Sequence, residues 1–467
     1  MARDQGVFGR QSSSRNHEYE PLTTNGGDAT PREEEQEESE EYDASAALLE
    51  EPSSVEIPFS WLEYGIFVLL GMAMLWAWNM FLAAAPYFAS RFSASPGLSD
   101  SFQSAILATS TVTNLGVMLL LSRMQSSASY PFRINLALAV NMAVFALLTA
   151  STGFLLASPR TYFAFVMATV AGSAWATGLV QNGAFAFAAS FGRPEYMQAL
   201  MAGQGVAGVL PAVAQVVTVL AFPPGEDGGQ ADGGRSSAFA YFLAAVVISF
   251  ATLLAFIPLV RRHNRIVESK MAQQLAESMT SIEEAERTAR KVVPLMVLLR
   301  KLRWLAASVA LVFTVTMFYP VFTAKITSVN PPSKGAFFRP EVFIPLAFFC
   351  WNLGDLGGRM ATVLPYSLNR RPKLLFALTA SRVVWIPLYL ACNIRGEGAV
   401  VPSDFFYLFV VQFLFGLTNG WLSASSMMAA PEWVDDGEKE AAGGFMGLCL
   451  VAGLAAGSVL SFTAAGV

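Results

Sequence analysis

Charge is scarce in this chain. Only 14% of its 467 residues are Asp, Glu, Lys or Arg, where a soluble chain of this size carries about 25%. That shortage excludes a water-soluble globular body. Cysteine is scarcer still, and Cys350, Cys392 and Cys449 all fall in apolar stretches. Three such thiols imply neither a disulfide framework nor a metal site, and no cofactor is expected. The two histidines, His17 and His263, stand in polar segments, so a histidine proton relay inside a membrane is not expected. No P-loop occurs, which argues against an ATP-driven pump. No selectivity-filter-like loop stands between apolar runs. No Asn-x-Ser/Thr sequon occurs, so no glycosylated loop is inferred. Neither enzymatic activity nor a nucleic-acid partner is expected.

What the chain has is apolar length. Hydrophobic residues make up 54% of it and the mean hydropathy is +0.46. They come in runs of about twenty, the length that spans a bilayer. The fold class expected is an all-α polytopic membrane protein of eleven transmembrane helices seated in the lipid bilayer. The spans read as roughly 61–85, 101–122, 132–157, 161–190, 197–221, 238–260, 303–325, 341–363, 373–394, 404–429 and 441–463. Residues 1–56 form a polar acidic tail with the run Glu33 to Glu41, expected to be disordered. Leu48-Leu49 in that tail reads either as a dileucine signal for a sorting adaptor or as a plain apolar pair.

Residues 57–260 then hold six spans, 261–302 a long polar loop with a helical pattern, and 303–467 five spans. The loop, counted with Arg303 just beyond it, holds ten Lys or Arg against five Glu. That excess marks it as cytoplasmic. Counting spans from it puts the N-terminus in the cytosol and the C-terminus outside or in a lumen. Lys325, Lys334 and Arg339 fall on the opposite side, against the trend. A central cytoplasmic loop dividing six spans from five is how two-bundle transporters are organised.

One stretch stands out. Leu346 to Ala361 is apolar except for Asn352, Asp355 and Arg359, which share one helix face at i, i+3 and i+7. Charges at that depth are costly, face a bundle interior or a watery cavity, and mark a substrate or ion path. An acid four residues before a base is the favourable order on a helix, so Arg359 is expected to hold Asp355 ionised. The alternative is a pair that only fixes helix packing.

Several stretches together resemble the equilibrative nucleoside transporter family. Span one has Trp76-Ala-Trp-Asn-Met-Phe followed by Pro86-Tyr-Phe, with Ala77 where the family often has Pro. Span five opens with Met201-Ala-Gly-Gln-Gly-Val-Ala-Gly208, span seven has Tyr319-Pro320, and span eight has Asn352-x-x-Asp355-x-x-Gly358-Arg359. Span nine has Ser381-Arg382-Val-Val-Trp-Ile-Pro387, and the end has Thr418-Asn-Gly-Trp421, Pro431 and Ala442-Gly-Gly-Phe-Met446. The acidic tail and its dileucine look like the fungal vacuolar branch.

The resemblance implies a major-facilitator-like pair of bundles in a 6+5 arrangement. Nucleosides, and perhaps nucleobases, would pass between the bundles by alternating access, facilitative or proton-aided. It implies a vacuolar, lysosomal or plasma membrane location. It implies that Asp355 and Arg359 grip ribose hydroxyls, that Gln181 reads the base edge, and that Trp78, Leu82 and Leu75 line the site. Tyr319 would wall the cavity and Asn352 would orient Asp355. Arg382 is read as structural or gating, paired either with Glu63 or with backbone carbonyls at a helix break. The alternative reading is a carrier of similar architecture for another small polar metabolite.

Overall fold

Inside a bilayer the backbone finds no water to bond, so apolar runs of this length fold as helices that satisfy their own N–H and C=O groups. The computed structural model describes residues 59–124, 129–154, 158–221, 230–277, 293–364 and 368–461, and nearly all of them are helical. The acidic tail with Leu48-Leu49 lies outside the described residues, as does most of the acidic loop after residue 221.

The main helices are α1 (Trp61–Ala83), α2 (Pro96–Arg123), α3 (Tyr130–Phe154), α4 (Pro159–Ser190), α5 (Pro194–Ala221), α6 (Gln230–Glu277), α7 (Leu295–Thr316), α8 (Pro340–Ala361), α9 (Pro372–Ser381), α10 (Leu414–Ala429) and α11 (Lys439–Ser461). Short helices extend α1 over Ala85–Phe92, α7 over Tyr319–Thr323 and α9 over Trp385–Leu390. Helix α6 runs well past its apolar stretch, so the helical pattern read after residue 260 holds as far as Glu277. Proline opens α2, α4, α5, α8 and α9. Its missing N–H costs nothing in the first turn and its φ suits a helix. At α4, Ser158 Oγ also accepts from the Thr161 amide at 3.3 Å.

Ten helices among the described residues are long and apolar enough to cross a membrane. The sequence counts eleven, and the difference is α8. Its 22 residues are long enough, at about 33 Å, but it carries Glu341, Asp355 and Arg359. It packs tightly against α10. Gly354 and Gly358 on α8 face α10, while Gly416 and Gly420 on α10 face α8. A Cβ on any of the four would fall on a backbone carbonyl oxygen of the partner helix: Phe413, Leu417, Trp351 and Asp355 in turn. Two reciprocal small-xxx-small pairs thus let the backbones touch. Gly71 and Gly203 join α1 to α5 in the same way, and Gly453 and Gly457 join α11 to α7.

Helices α7 and α9 are interrupted and α10 is preceded by a non-α stretch, all in one region. Helix α7 ends at Thr316 before its short extension. Helix α9 tightens to a 3-10 turn over Arg382–Val384. A π-helical stretch, Phe406–Phe413, leads into α10.

Candidate functional site

Helix α8 brings Asp355 and Arg359 onto one face, and both are buried, with 4% and 3% of their surface exposed. Arg359 Nε donates to Asp355 Oδ2 at 2.8 Å. Asn419 on α10 donates to the other carboxylate oxygen at 2.6 Å. Thr316 at the end of α7 donates to Asn419 Oδ1 at 2.5 Å. The rest of the Arg359 guanidinium reaches across to α5: its Nη1 meets the Met201 carbonyl at 2.9 Å and Gln204 Oε1 at 3.2 Å. Gln198 on α5 donates back to the Arg359 carbonyl at 3.3 Å.

A second cross-chain contact lies beside it. Gly443 on α11 sits where a Cβ would fall on the Phe185 carbonyl of α4, and Gly447 abuts the Phe185 ring. Helices α5 and α4 therefore close on α8 and α11 at one end of the molecule.

A cavity lies away from that seal. It is lined by Leu75, Trp78 and Phe81 of α1, by Asn114 of α2 and by Gln181 of α4, with Met317, Val451 and Leu454 from the later helices. Asn114 Nδ2 donates to Gln181 Oε1 at 3.2 Å, and Asn114 Oδ1 has no partner among the described residues. Aromatic and aliphatic walls with a convergent amide pair suit a flat, uncharged ligand with donors and acceptors.

Known proteins match this arrangement. The family profile described as Nucleoside transporter matches residues 166–465. Nucleoside transporter FUN26 of Saccharomyces cerevisiae is 31% identical over 445 residues, covering 86% of this chain and 83% of that protein. Equilibrative nucleoside transporter 1 of Rattus norvegicus is 28% identical, covering 85% of this chain and 95% of that protein. The chain belongs to the nucleoside transporter family. Solved structures agree in fold. The major facilitator superfamily proton:xylose symporter XylE, bound to 6-bromo-6-deoxy-D-glucose, aligns with a TM-score of 0.57 at 10% identity, over 86% of this chain and 87% of that one. The major facilitator superfamily transporter FucP aligns with a TM-score of 0.52 at 13% identity, over 86% of this chain and 92% of that one.

In this nucleoside transporter the residues singled out from sequence fall into three places. Leu75, Trp78 and Gln181 line the cavity together. Asp355 and Arg359 sit in the seal, with their bonds spent on protein. The others are spread. Leu82 is 52% exposed and is not among the residues lining the cavity. Tyr319 stacks on Trp351 at 4.0 Å between ring centres. Asn352 does not orient Asp355; it donates to the Phe348 carbonyl at 2.8 Å and packs on Gly208. Beside Arg359, the residue that holds Asp355 is Asn419, quoted from sequence only as part of a motif and given no role there. Its signal was a single amide among the apolar and small residues of α10, one turn before Ser423.

Arg382 and Glu63 do not meet. Arg382 takes the other partner set, the carbonyls of Val312 at 3.0 Å and Phe415 at 3.4 Å, at the helix breaks. It also lies 4.5 Å over the Phe415 ring. Glu63 pairs with Arg262 of α6 at 2.9 Å and accepts from the Tyr196 hydroxyl at 2.5 Å.

Proposed function

We propose that this transporter carries nucleosides across its membrane by alternating access. The observation that carries the reading is the cavity where Trp78, Asn114 and Gln181 converge between the early and the late helices. Gln181 and Asn114 offer a donor and an acceptor to a base edge, and Trp78 offers a face for it to lie against. Helices α1–α6 and α7–α11 act as the two moving bundles, with α8 as an eleventh span inside the second.

The excess of Lys and Arg after α6 supports a cytosolic N-terminus. In that orientation the α5–α8 and α4–α11 contacts form the cytoplasmic seal, and the cavity faces the opposite side. Asp355 and Arg359 then have a double role. In the sealed state they close the bundles through Met201 and Gln204. When the seal parts they become free to grip ribose hydroxyls, since an ionised acceptor makes the stronger hydrogen bond. Both Asp355 oxygens are bonded, one to Arg359 and one to Asn419, which favours a facilitative carrier over one that moves a proton on this carboxylate.

The test is uptake of labelled uridine, adenosine and adenine into proteoliposomes, with and without a pH gradient. Saturable nucleoside uptake that ignores the gradient is expected. The variant Gln181→Ala is expected to raise the KM several-fold while costing about 1 kcal/mol of stability, the net worth of a hydrogen bond. Uptake no faster than in empty liposomes would sink the reading.

A further inference from the structure

Several cations at the end of the molecule that carries the seal are held by protein. Arg133 donates to Asn182 at 2.5 Å and to the Met124 carbonyl at 2.8 Å. Arg262 pairs with Glu63, and Lys301 pairs with Asp435 at 3.1 Å and Glu438 at 2.6 Å. Five others gather between α7 and α9 with no acidic partner among the described residues: Arg300, Arg303, Arg370, Arg371 and Lys373, all exposed. Their nearness follows from one ring contact and helix geometry. The Trp304 ring of α7 meets the Phe376 ring of α9 at 5.3 Å. Arg300 is four residues before Trp304, and Lys373 is three before Phe376, so each lies on the face of the touching ring, one turn nearer the helix end. Arg303 adds its guanidinium 5.7 Å from the Trp304 ring.

We infer that this cleft between α7 and α9 binds the phosphorylated headgroup of a polyanionic phospholipid, of the phosphoinositide class. Two observations favour a lipid over a free anion. The cluster sits at the ends of membrane-spanning helices, where headgroups lie. The Trp304–Phe376 pair directly beneath it gives an aromatic floor at the depth of the acyl boundary, as interfacial aromatics do. Among the described residues nearby, Glu432 accepts from Asn369 at 2.7 Å, and Asp435 and Glu438 are taken by Lys301. Basic clefts between spans on the cytoplasmic side are where such headgroups bind.

The experiment uses the full chain in phosphatidylcholine nanodiscs, which present both leaflets, so its outcome does not depend on orientation or on transport. Titrating in phosphatidylinositol 4-phosphate should raise the melting temperature saturably. At about a fivefold loss per charge, as surface cations give against anionic lipid, the triple variant Arg300→Gln, Arg370→Gln, Lys373→Gln should weaken the half-saturating lipid fraction about a hundredfold. A control with three charges removed elsewhere (Arg123→Gln, Arg261→Gln, Arg265→Gln) should bind as the wild type does. Equal weakening by the two variants would mean general charge attraction and overturn the site. The same stabilisation by inorganic phosphate alone would overturn the lipid assignment. A wild-type melting temperature for the triple variant in pure phosphatidylcholine reports that it has folded.

Discussion

Arg382 is 1% exposed and bonds only to carbonyl oxygens, with no acid attached to it. Together with Arg359 it sets two buried guanidiniums against one buried carboxylate, Asp355. That imbalance makes Asp355 a sensitive position. Replacing it by Asn keeps the shape and the amide contact to Asn419 but leaves both cations without a counter-charge. Removing one member of a buried pair costs about 3–5 kcal/mol. Asp355→Asn is therefore expected to lower the melting temperature sharply in detergent, besides abolishing uridine uptake. A variant that melts like the wild type yet fails to transport would assign the carboxylate to substrate alone. Gln181 offers the contrast, because its partner is a cavity-lining amide and its loss should tell on KM more than on folding.

At the scale of elements, glycine spacing decides which helices touch. The α8–α10 pair is joined by four glycines whose missing Cβ atoms leave room for the opposing carbonyls. Gly420→Ala would drive a methyl into the Asp355 carbonyl, backbone against backbone, where neither helix can give. Overpacking of this kind costs typically about 1–3 kcal/mol. Lower monodisperse yield and an earlier melt are expected. Gly116→Ala on α2 is the matched control, since nothing lies within 4 Å of its Cβ position; it should melt no earlier than the wild type. Equal losses in both would show that the close approach is not what matters. The π-helical stretch before α10 belongs to the same scale. It carries Gln412, fully buried, which binds Tyr389, Tyr407 and Thr323 at 2.7–3.0 Å. That network fixes the outer part of α9 and α10 beside the break at Arg382.

For the whole molecule the central fact is that the two groups of helices meet at one end and leave a cavity beyond it. Transport by alternating access requires that meeting to come apart. Gly205 on α5 lies so close to α8 that its Cβ position is 3.1 Å from the Leu356 Cα. In a chain whose three native cysteines are replaced by Ala, the pair Gly205→Cys and Leu356→Cys should form a disulfide on oxidation. Nucleoside uptake is then expected to stop and to return on reduction. Equal uptake in the oxidised and reduced protein would mean that this contact does not open.

The sequence by itself determined the class of molecule, because long apolar runs with little charge have no other fold that satisfies their backbone in a bilayer. It also marked Asp355 and Arg359, since charges that deep are expensive enough to stand out, and it placed Leu75, Trp78 and Gln181 in one cavity through motif resemblance. It left the partners open. Arg382 had two candidate partner sets, and only packing showed that three helix irregularities meet around it. Asn352 looked like the neighbour of Asp355 because it is one turn away, yet Asn419, 64 residues on, makes the bond. Periodicity gives the face a residue shares on its own helix. Which helix lies opposite that face is set by how glycines let backbones approach, and that was decided only in the tertiary structure.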